Sequence, residues 1–397
     1  MAISNGDATL STDRIMATVN ALAQELSEGA GPRDRRGGTA KPERDAIRAS
    51  GLLRLAIPTE LGGIGAAWPT VFQAVRSIAQ ADASLGQLFG FHHVIVATCR
   101  LFGAPEQWRR LLEGTARLGW FWGNALNPLD RRLVLRHTPD GLRLRGMKSF
   151  STGATDSEML LVSALDEKTE KIVVAALPTR RSGIDVRDDW DTLGQRLTDS
   201  GSTVFTDVEL DEREILGPPG PLGSTFATLR SCIAQLTFVN VYLGLAYGAL
   251  ASAKPYTRTR TRVWPGSGVE HAGDDPYVLE HFGSMWAQLV TSVAAADRAA
   301  ELLEEAWQLQ DELSPEKRGE VALMIAAAKV VASRAVLDIS ARVFEATGAG
   351  ATATQWDLDR FWRNARTLTL HDRLEYKVRE LGDWALNDRI PAPSFYS

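Results

Sequence analysis

The chain has 397 residues, of which 44% are hydrophobic and 23% charged, so it is long enough for two or three domains and is not composed like a disordered or fibrous protein. Its 44 Lys and Arg residues against 49 Asp and Glu residues give a formal charge of -5, which disfavours nucleic acid and anionic membranes as partners. Only two cysteines occur, Cys99 and Cys232, which excludes a disulfide framework and a thiolate zinc cluster and predicts a cytoplasmic protein.

Helical periodicity dominates the first third of the chain. Apolar residues recur at helical spacing from Thr12 to about Arg110. The Gly-, Pro- and Arg-rich stretch 31–42 and the stretch 58–65 predict loops between the helices. We therefore predict an N-terminal helical domain over residues 1–118.

Short alternating runs follow and predict β-strands. Pro139-Asp140-Gly141 separates two such runs and is a strong hairpin signal. Three further strand-like segments lie at residues 159–164, 171–177 and 203–210. Together they predict a compact antiparallel β domain over residues 119–222.

The helical period then returns in long runs at residues 226–254, 283–313 and 317–347, each matching a bundle helix. Residues 231–253 carry no charge and are numerous enough to cross a membrane, but the polar residues among them favour a helix buried in the protein. We predict a C-terminal four-helix bundle over residues 223–397. The fold class is then α+β, mostly α, with helices and strands in separate layers.

Familiar catalytic motifs do not occur in the sequence. It has no phosphate-binding Gly-Lys-Ser/Thr loop, no paired histidines of a zinc helix and no Gly-x-Ser-x-Gly elbow. The run from Gly348 to Ala353 has the glycine spacing of a dinucleotide site but follows a predicted helix instead of a strand. Adjacent His92 and His93 diverge by about 100° on a helix, which disfavours a shared metal ion. We predict no metal site.

Separated segments, in order along the chain, resemble the acyl-CoA dehydrogenase superfamily. Residues 120–128 and 146–153 are similar to the paired β-domain motifs that hold the flavin ring in that family. Residues 345–350 and 360–366 resemble the loop and helix start near the flavin in its C-terminal bundle. The resemblance implies a helical domain, a β domain and a four-helix bundle, in agreement with the elements predicted above.

The differences from the dehydrogenases favour one branch of this superfamily. The run Leu370-His-Asp-Arg373 stands where those enzymes carry a Tyr-Glu-Gly run with the catalytic base. Together with residues 190–201 and 256–264, it resembles the flavin-dependent monooxygenases typified by dibenzothiophene monooxygenase. Members of that branch receive reduced FMN from a separate NAD(P)H:flavin reductase and form a C4a-hydroperoxyflavin with dioxygen.

The resemblance therefore implies a two-component monooxygenase that oxygenates a small aromatic or heteroatom-containing substrate. It implies FMN as cofactor, with FAD less favoured, and a homotetramer. An acyl-CoA dehydrogenase with FAD stays open as the alternative, because Asp372 occupies the place of the dehydrogenase base. A flavin-free protein that binds a ligand or partner on the same fold is a third interpretation.

By the same resemblance, four residues are expected to take part in catalysis. His371 is placed to donate a hydrogen bond to the peroxide or to relay a proton, since an imidazole titrates near pH ~6.5. His92 is expected on the substrate side of the flavin. Ser151 and Asn124 offer donors and acceptors to the flavin edge. The structural alternatives are a helix-start histidine satisfied by the backbone for His371, an ordinary partly buried histidine for His92 and a solvent-facing hydroxyl for Ser151.

Cofactor contacts are expected from several segments. Trp122 and Trp190 would wall the flavin ring, although tryptophans also serve as packing anchors. Asn124, Ser151 and Thr152 would bind its edge.

Arginines after the first bundle helix are candidates for the FMN phosphate. Arg258, Arg260 and Arg262 alternate, which places them on one face if the segment is extended. Guanidinium groups make paired hydrogen bonds with phosphate oxygens, and the resemblance assigns that contact to Arg260 and Arg262. Gly348, in a glycine-rich turn, is expected to approach the cofactor of a neighbouring subunit. For the arginines, the alternative is a solvent-exposed basic stripe that binds no ligand.

Overall fold

The computed structural model describes residues 11–397, and its first third is helical. Asp82 begins the longest of these helices by accepting hydrogen bonds from the backbone N–H groups of Ser84 and Leu85. That helix is buried along nearly its whole length. The six helices are α1 (Thr12–Ser27), α2 (Ala30–Arg36), α3 (Lys41–Ser50), α4 (Trp68–Ala81), α5 (Ala83–Phe102) and α6 (Pro105–Leu118).

Helix α2 lies where the sequence predicted a loop, so that prediction is wrong over its first residues. Gly31 and Pro32 occupy the first turn, where a proline needs no amide hydrogen. A Cβ on Gly31 would collide with the side chain of Asp357, so a larger residue here would have to displace Asp357. Arg33 donates to Asp82 at 2.9 Å. Tertiary contacts thus hold a loop-like composition in a helix.

The central part is one sheet of seven strands. Its order is β1-β4-β2-β3-β7-β6, with β5 paired to β4. β5 runs antiparallel along one edge of β4, while β1 and then β2 pair in parallel with β4. The sheet is therefore mixed, and the prediction of a purely antiparallel domain is wrong in this respect. The strands are β1 (Trp122–Ala125), β2 (Val134–Thr138), β3 (Gly141–Lys148), β4 (Met159–Asp166), β5 (Ile172–Pro178), β6 (Ile184–Val186) and β7 (Thr203–Leu210).

The local strand predictions are confirmed. β2 and β3 form the predicted hairpin, with Thr138 opposite Gly141. The segments at 159–164, 171–177 and 203–210 are β4, β5 and β7.

The last part is a helical bundle built around α7. This helix is long and apolar enough to cross a membrane by length and composition, and 94% of its most apolar window is buried inside the protein, as the sequence predicted. Gly244 lets it touch α4, since a Cβ there would lie 2.5 Å from the carbonyl oxygen of Arg76. The bundle helices are α7 (Leu229–Thr259), α8 (Pro276–Leu309), α9 (Pro315–Thr347), α10 (Asp359–Leu368) and α11 (Leu374–Asn387).

A buried arginine joins the helical first third to the sheet. Arg44 of α3 donates to Oδ2 of Asp199 at 3.0 Å and to the carbonyl oxygen of Gly153 at 2.9 Å. Asp199 lies just before β7 and Gly153 follows β3. This clamp fixes the two loops that form one wall of the cavity described next.

Candidate active site

A cavity of about 440 Å³ lies where the sheet meets α5, α7 and the turn after α10. α5 contributes Gln87 and Phe91, which are one helical turn apart, and α7 contributes Phe238. The remaining walls come from the loops around β1, β3 and β7, from the turn that holds His371, and from Tyr396 near the end of the chain.

One wall of the cavity is a chain of hydroxyl groups. Oγ1 of Thr152 lies 2.9 Å from Oγ of Ser200, which lies 2.8 Å from Oγ1 of Thr198. Thr198 in turn donates to the carbonyl oxygen of Gln195. Asn124 lines the same wall, and its backbone N–H donates to the carbonyl oxygen of Thr152 at 2.8 Å. These groups offer a bound molecule both donors and acceptors.

Gln195 lines this cavity and has an unsatisfied side-chain amide. Its side chain is buried, and neither Oε1 nor Nε2 has a hydrogen-bond partner within residues 11–397. Its backbone φ is +56°, a conformation that costs energy for a residue with a side chain and clusters at functional sites. Asn364 holds it there by accepting a hydrogen bond from its backbone N–H. The motif at 360–366 therefore supports the wall from behind.

Aromatic rings form the other walls. Phe150 and Trp190 meet edge to face with centroids 6.0 Å apart, and Phe91 lies 5.0 Å from Phe238. Phe150 has a backbone φ of +59°, and 61% of its surface is exposed. A bulky ring held in a strained conformation at the mouth of a cavity indicates a site for a flat apolar molecule.

His371 faces the cavity from the turn between α10 and α11. Its Nδ1 lies 3.1 Å from Oδ1 of Asp372, and its ring packs on Phe238 with centroids 4.3 Å apart. Because an ionised carboxylate only accepts hydrogen bonds, Nδ1 carries the hydrogen and Nε2 is left for the cavity. Burial lowers the pKa of His371, and the hydrogen bond to Asp372 opposes that shift.

Asp372 is itself held by a buried lysine. Lys329 of α9, whose side chain is 2% exposed, donates to Asp372 and to Gln235. Burial alone would raise the pKa of Asp372, but the hydrogen bond from His371 and the charge of Lys329 hold it well below its usual range. Asp372 does not line the cavity. A carboxylate held in this way is not free to remove a proton from a substrate, so the dehydrogenase alternative has no base at this position.

The structure brings four of the predicted site residues together on the cavity: Asn124, Thr152, Trp190 and His371. Ser151 lies beside them, buried, with its backbone N–H bonded to the carbonyl oxygen of Gly201. Its Oγ has no partner within residues 11–397.

Two predicted residues lie behind the cavity. Nε2 of His92 is 2.8 Å from the carbonyl oxygen of Leu53, and burial lowers the pKa of this histidine to about 4. Trp122 is buried, and its Nε1 donates to Thr115 at 3.0 Å. Neither is among the cavity-lining residues. Trp122 thus has the packing role that was its structural alternative, and His92 is a fully buried histidine.

The predicted phosphate ligands lie far from this cavity. Arg260 follows α7, about 33 Å along the helix from Phe238. Its guanidinium stacks 4.6 Å from the ring centroid of Trp356. Arg262 and Gly348 line a second cavity of about 640 Å³. The prediction that Arg258, Arg260 and Arg262 share one face of an extended segment is wrong, because Arg258 is still inside α7.

The sequence did not predict several residues that line the cavity, notably Gln87, Phe91, Gln195, Ser200, Phe238 and Tyr396. The segment 190–201 carried the resemblance, but nothing in it distinguished Gln195 from its neighbours. Helix α5 is buried on all sides, so its periodicity did not show which residues face a cavity. Among residues 11–397 no cluster of His, Cys, Asp and Glu is arranged to hold a metal ion. Both cysteines are buried and free.

Comparison with known proteins gives three domain matches. The acyl-CoA dehydrogenase N-terminal, middle and C-terminal domain models match residues 11–118, 129–208 and 236–376. A probable FMNH2-dependent monooxygenase, SfnC of Pseudomonas putida, is 50% identical over 383 residues, which cover 96% of this chain and 97% of the relative.

Solved structures agree with these matches. Methanesulfinate monooxygenase MsuC from Pseudomonas fluorescens superposes with a TM-score of 0.94 at 52% identity, covering 96% of this chain and 99% of that one. The dibenzothiophene monooxygenase TdsC from Paenibacillus sp. A11-2, in its FMN-bound structure, superposes with a TM-score of 0.93 at 44% identity, covering 97% of this chain and 100% of that one.

Proposed function

The chain belongs to the acyl-CoA dehydrogenase family, and we propose that within this family it is a two-component monooxygenase that uses reduced FMN and dioxygen to oxygenate a small heteroatom-containing substrate. Relatives named as flavin-dependent monooxygenases match almost its full length. A separate NAD(P)H:flavin reductase supplies the reduced FMN, as the name FMNH2-dependent implies for the relative.

The observation that carries the proposal is the buried, partnerless amide of Gln195 in an aromatic-walled cavity. Burying a polar group without a hydrogen bond is costly, so such a group indicates a missing partner. The pyrimidine edge of a flavin carries carbonyl acceptors and an N–H donor, which match an amide. Gln87, whose Oε1 also lacks a partner within residues 11–397, and Asn124 add further groups of the same kind.

Gln195, Gln87 and Asn124 would hold the ring of reduced FMN, which when bound would supply the two electrons needed to activate dioxygen. The residues of this chain protect and steer that chemistry. Phe150, Trp190 and Phe238 exclude water, which would release hydrogen peroxide without oxygenation. Nε2 of His371 carries no hydrogen in the neutral ring, so it accepts a proton at the cavity and relays it, while Asp372 and Lys329 fix the ring.

We assign Arg262 and the turn at Gly348 to the active site of a second copy of the chain. Arg262 and Gly348 lie together, on the opposite end of α7 from the cavity. In a homotetramer Arg262 would contact the FMN phosphate of a neighbouring subunit, since guanidinium groups bind phosphate. Gly348 has open space where a side chain would stand, so it would let that neighbour approach. Arg262→Ala should therefore weaken FMN binding although the residue is remote from its own cavity.

The test mixes anaerobic protein carrying reduced FMN with oxygenated buffer in a stopped-flow spectrophotometer. A transient absorbance of a C4a-(hydro)peroxyflavin that decays faster when substrate is present supports the proposal. Direct conversion to oxidised FMN, with stoichiometric hydrogen peroxide and no transient, refutes it. In a control, oxidised flavin on the protein is mixed with acyl-CoA under nitrogen, and bleaching would show a dehydrogenase instead.

A further inference from the structure

Four rings follow one another along one part of the cavity wall. The ring centroids of Phe91 and Phe238 are 5.0 Å apart, and those of Phe238 and His371 are 4.3 Å apart. Tyr396 completes the row, 6.0 Å from His371. All four residues line the cavity, whereas the amide of Gln195 and the hydroxyl chain belong to the loops of the sheet. Because those polar groups are assigned to the flavin, the row of rings is left to contact the apolar part of the substrate.

Tyr396 is the member of this row that the fold holds least firmly. Phe91 and Phe238 stand on buried stretches of α5 and α7, and His371 is hydrogen-bonded to the carboxylate next to it. Tyr396 instead belongs to residues 388–397, which follow α11 and contain no helix or strand. We call these residues the strap. A segment with few hydrogen bonds of its own moves at a lower cost in free energy than a packed helix.

The strap is attached to the bundle near both of its ends. Ile390 packs so closely on α9 that a Cβ on Gly319 would collide with its side chain. At the other end, the carbonyl oxygen of Ser397 accepts a hydrogen bond from the buried Arg318 and another, at 2.9 Å, from Ser231. These two hydrogen bonds hold the neighbouring tyrosine ring at the cavity.

We propose that Tyr396 is a specificity-determining residue, whose ring closes the cavity beside His371 and sets the largest apolar group that a substrate can carry there. The ring acts through its volume, so its hydroxyl is not needed for this role. The strap supplies the position of the ring, and the hydrogen bonds to Ser397 keep the strap in place. This assignment rests on the proposed function and makes it more specific, because it concerns the size of the substrate that the monooxygenase accepts.

The size limit is tested by binding, which needs no turnover. Protein loaded with oxidised FMN is titrated calorimetrically with methyl phenyl sulfoxide and with diphenyl sulfoxide, which share a polar group and differ by one ring. Tyr396→Ala should bind diphenyl sulfoxide about tenfold more tightly than wild type does, since the second phenyl ring gains the space of the tyrosine ring. Its affinity for methyl phenyl sulfoxide should change by less than about threefold. An unchanged ratio of the two affinities, or no binding of either sulfoxide, would overturn the proposal.

Two variants separate the ring of Tyr396 from other causes. Tyr396→Phe keeps the ring and should keep the wild-type ratio, whereas a ratio equal to that of Tyr396→Ala would show that the hydroxyl matters and would overturn the proposal. Phe395→Ala is the matched control, because Phe395 lies on the strap but packs against the core and does not line the cavity. A shift in Phe395→Ala as large as that in Tyr396→Ala would overturn the assignment to Tyr396. A protein that shows the expected ratios but oxygenates no substrate would refute the proposed function and leave the size limit standing.

The attachment of the strap is tested by the same titrations. Arg318→Met removes a donor to Ser397 and frees the strap, so the ratio of affinities should shift toward diphenyl sulfoxide, as in Tyr396→Ala. Ser231→Ala removes only the other donor and should give a smaller shift in the same direction, which keeps the test open if Arg318→Met does not fold. A wild-type ratio in every folded variant of this pair would show that these hydrogen bonds do not position the ring and would overturn the role of the strap.

Discussion

Replacement of Asp372 by asparagine should destabilise the protein through Lys329. The change leaves an ammonium group whose side chain is 2% exposed without its counter-charge. Breaking a buried ion pair from one side typically costs about 3–5 kcal/mol, and we expect the lower end because Gln235 still accepts from Lys329. With an unfolding entropy of about 2.1 cal/mol/K per residue, about 3 kcal/mol corresponds to a melting temperature about 4 °C lower.

A double-mutant cycle shows whether this cost belongs to the pair. Lys329→Met together with Asp372→Asn removes both charges, so the double variant should be more stable than the sum of the single changes predicts, by about 2 kcal/mol or more. The free energies come from urea unfolding followed by circular dichroism. Lys317 and Glu305, an exposed pair 2.8 Å apart, provide the control cycle and should show almost no coupling. Additive effects at Lys329 and Asp372 would refute this reasoning.

Two other changes test the site, and a third tests the burial of a lysine in the sheet. His371→Ala should keep FMN affinity but release more hydrogen peroxide per reduced FMN oxidised, measured with a coupled peroxidase; full oxygenation at an unchanged rate would exclude its role as donor. Gln195→Leu should stabilise the ligand-free protein, because it removes a buried amide without partners, yet weaken FMN binding by about tenfold, measured by melting and fluorescence titration. Burial lowers the pKa of Lys148 to about 8, with Asp130 opposing that shift. Between pH 8 and 10, unfolded chains then hold more protons than folded ones, so the free energy of unfolding of wild type should rise by about 2 kcal/mol relative to that of Lys148→Met. A constant difference in their unfolding free energies across that range would contradict the burial argument.

Local sequence chemistry predicted local structure well. The turn at Pro139-Asp140-Gly141 carries its own conformational preference, and the hairpin formed there. The parallel pairing of β4 with β1 and β2 was missed, because such pairing depends on residues distant in sequence. Helix α2 was missed for the same reason, since Arg33 and Asp357 hold it from outside. The three-part fold itself followed from the order of helical and strand periods.

The site was predictable only where the family resemblance reached individual residues. It put His371, Asn124 and Trp190 on the cavity, and their chemical roles stay predictions. His92 lies behind the wall because α5 is buried on every side, so no polar face marked its orientation. Gln195 became recognisable only once its φ and its missing hydrogen bonds were known.

The burial of α7 bears on how the chain is made in the cell. The helix emerges from the ribosome before α8 and α9, which later cover it. Until those two helices are synthesised, only α4 and α5 are available to cover an uncharged segment long enough to engage membrane-insertion factors. Recombinant production should therefore gain more from abundant chaperones during synthesis than from changes to the surface of the finished enzyme.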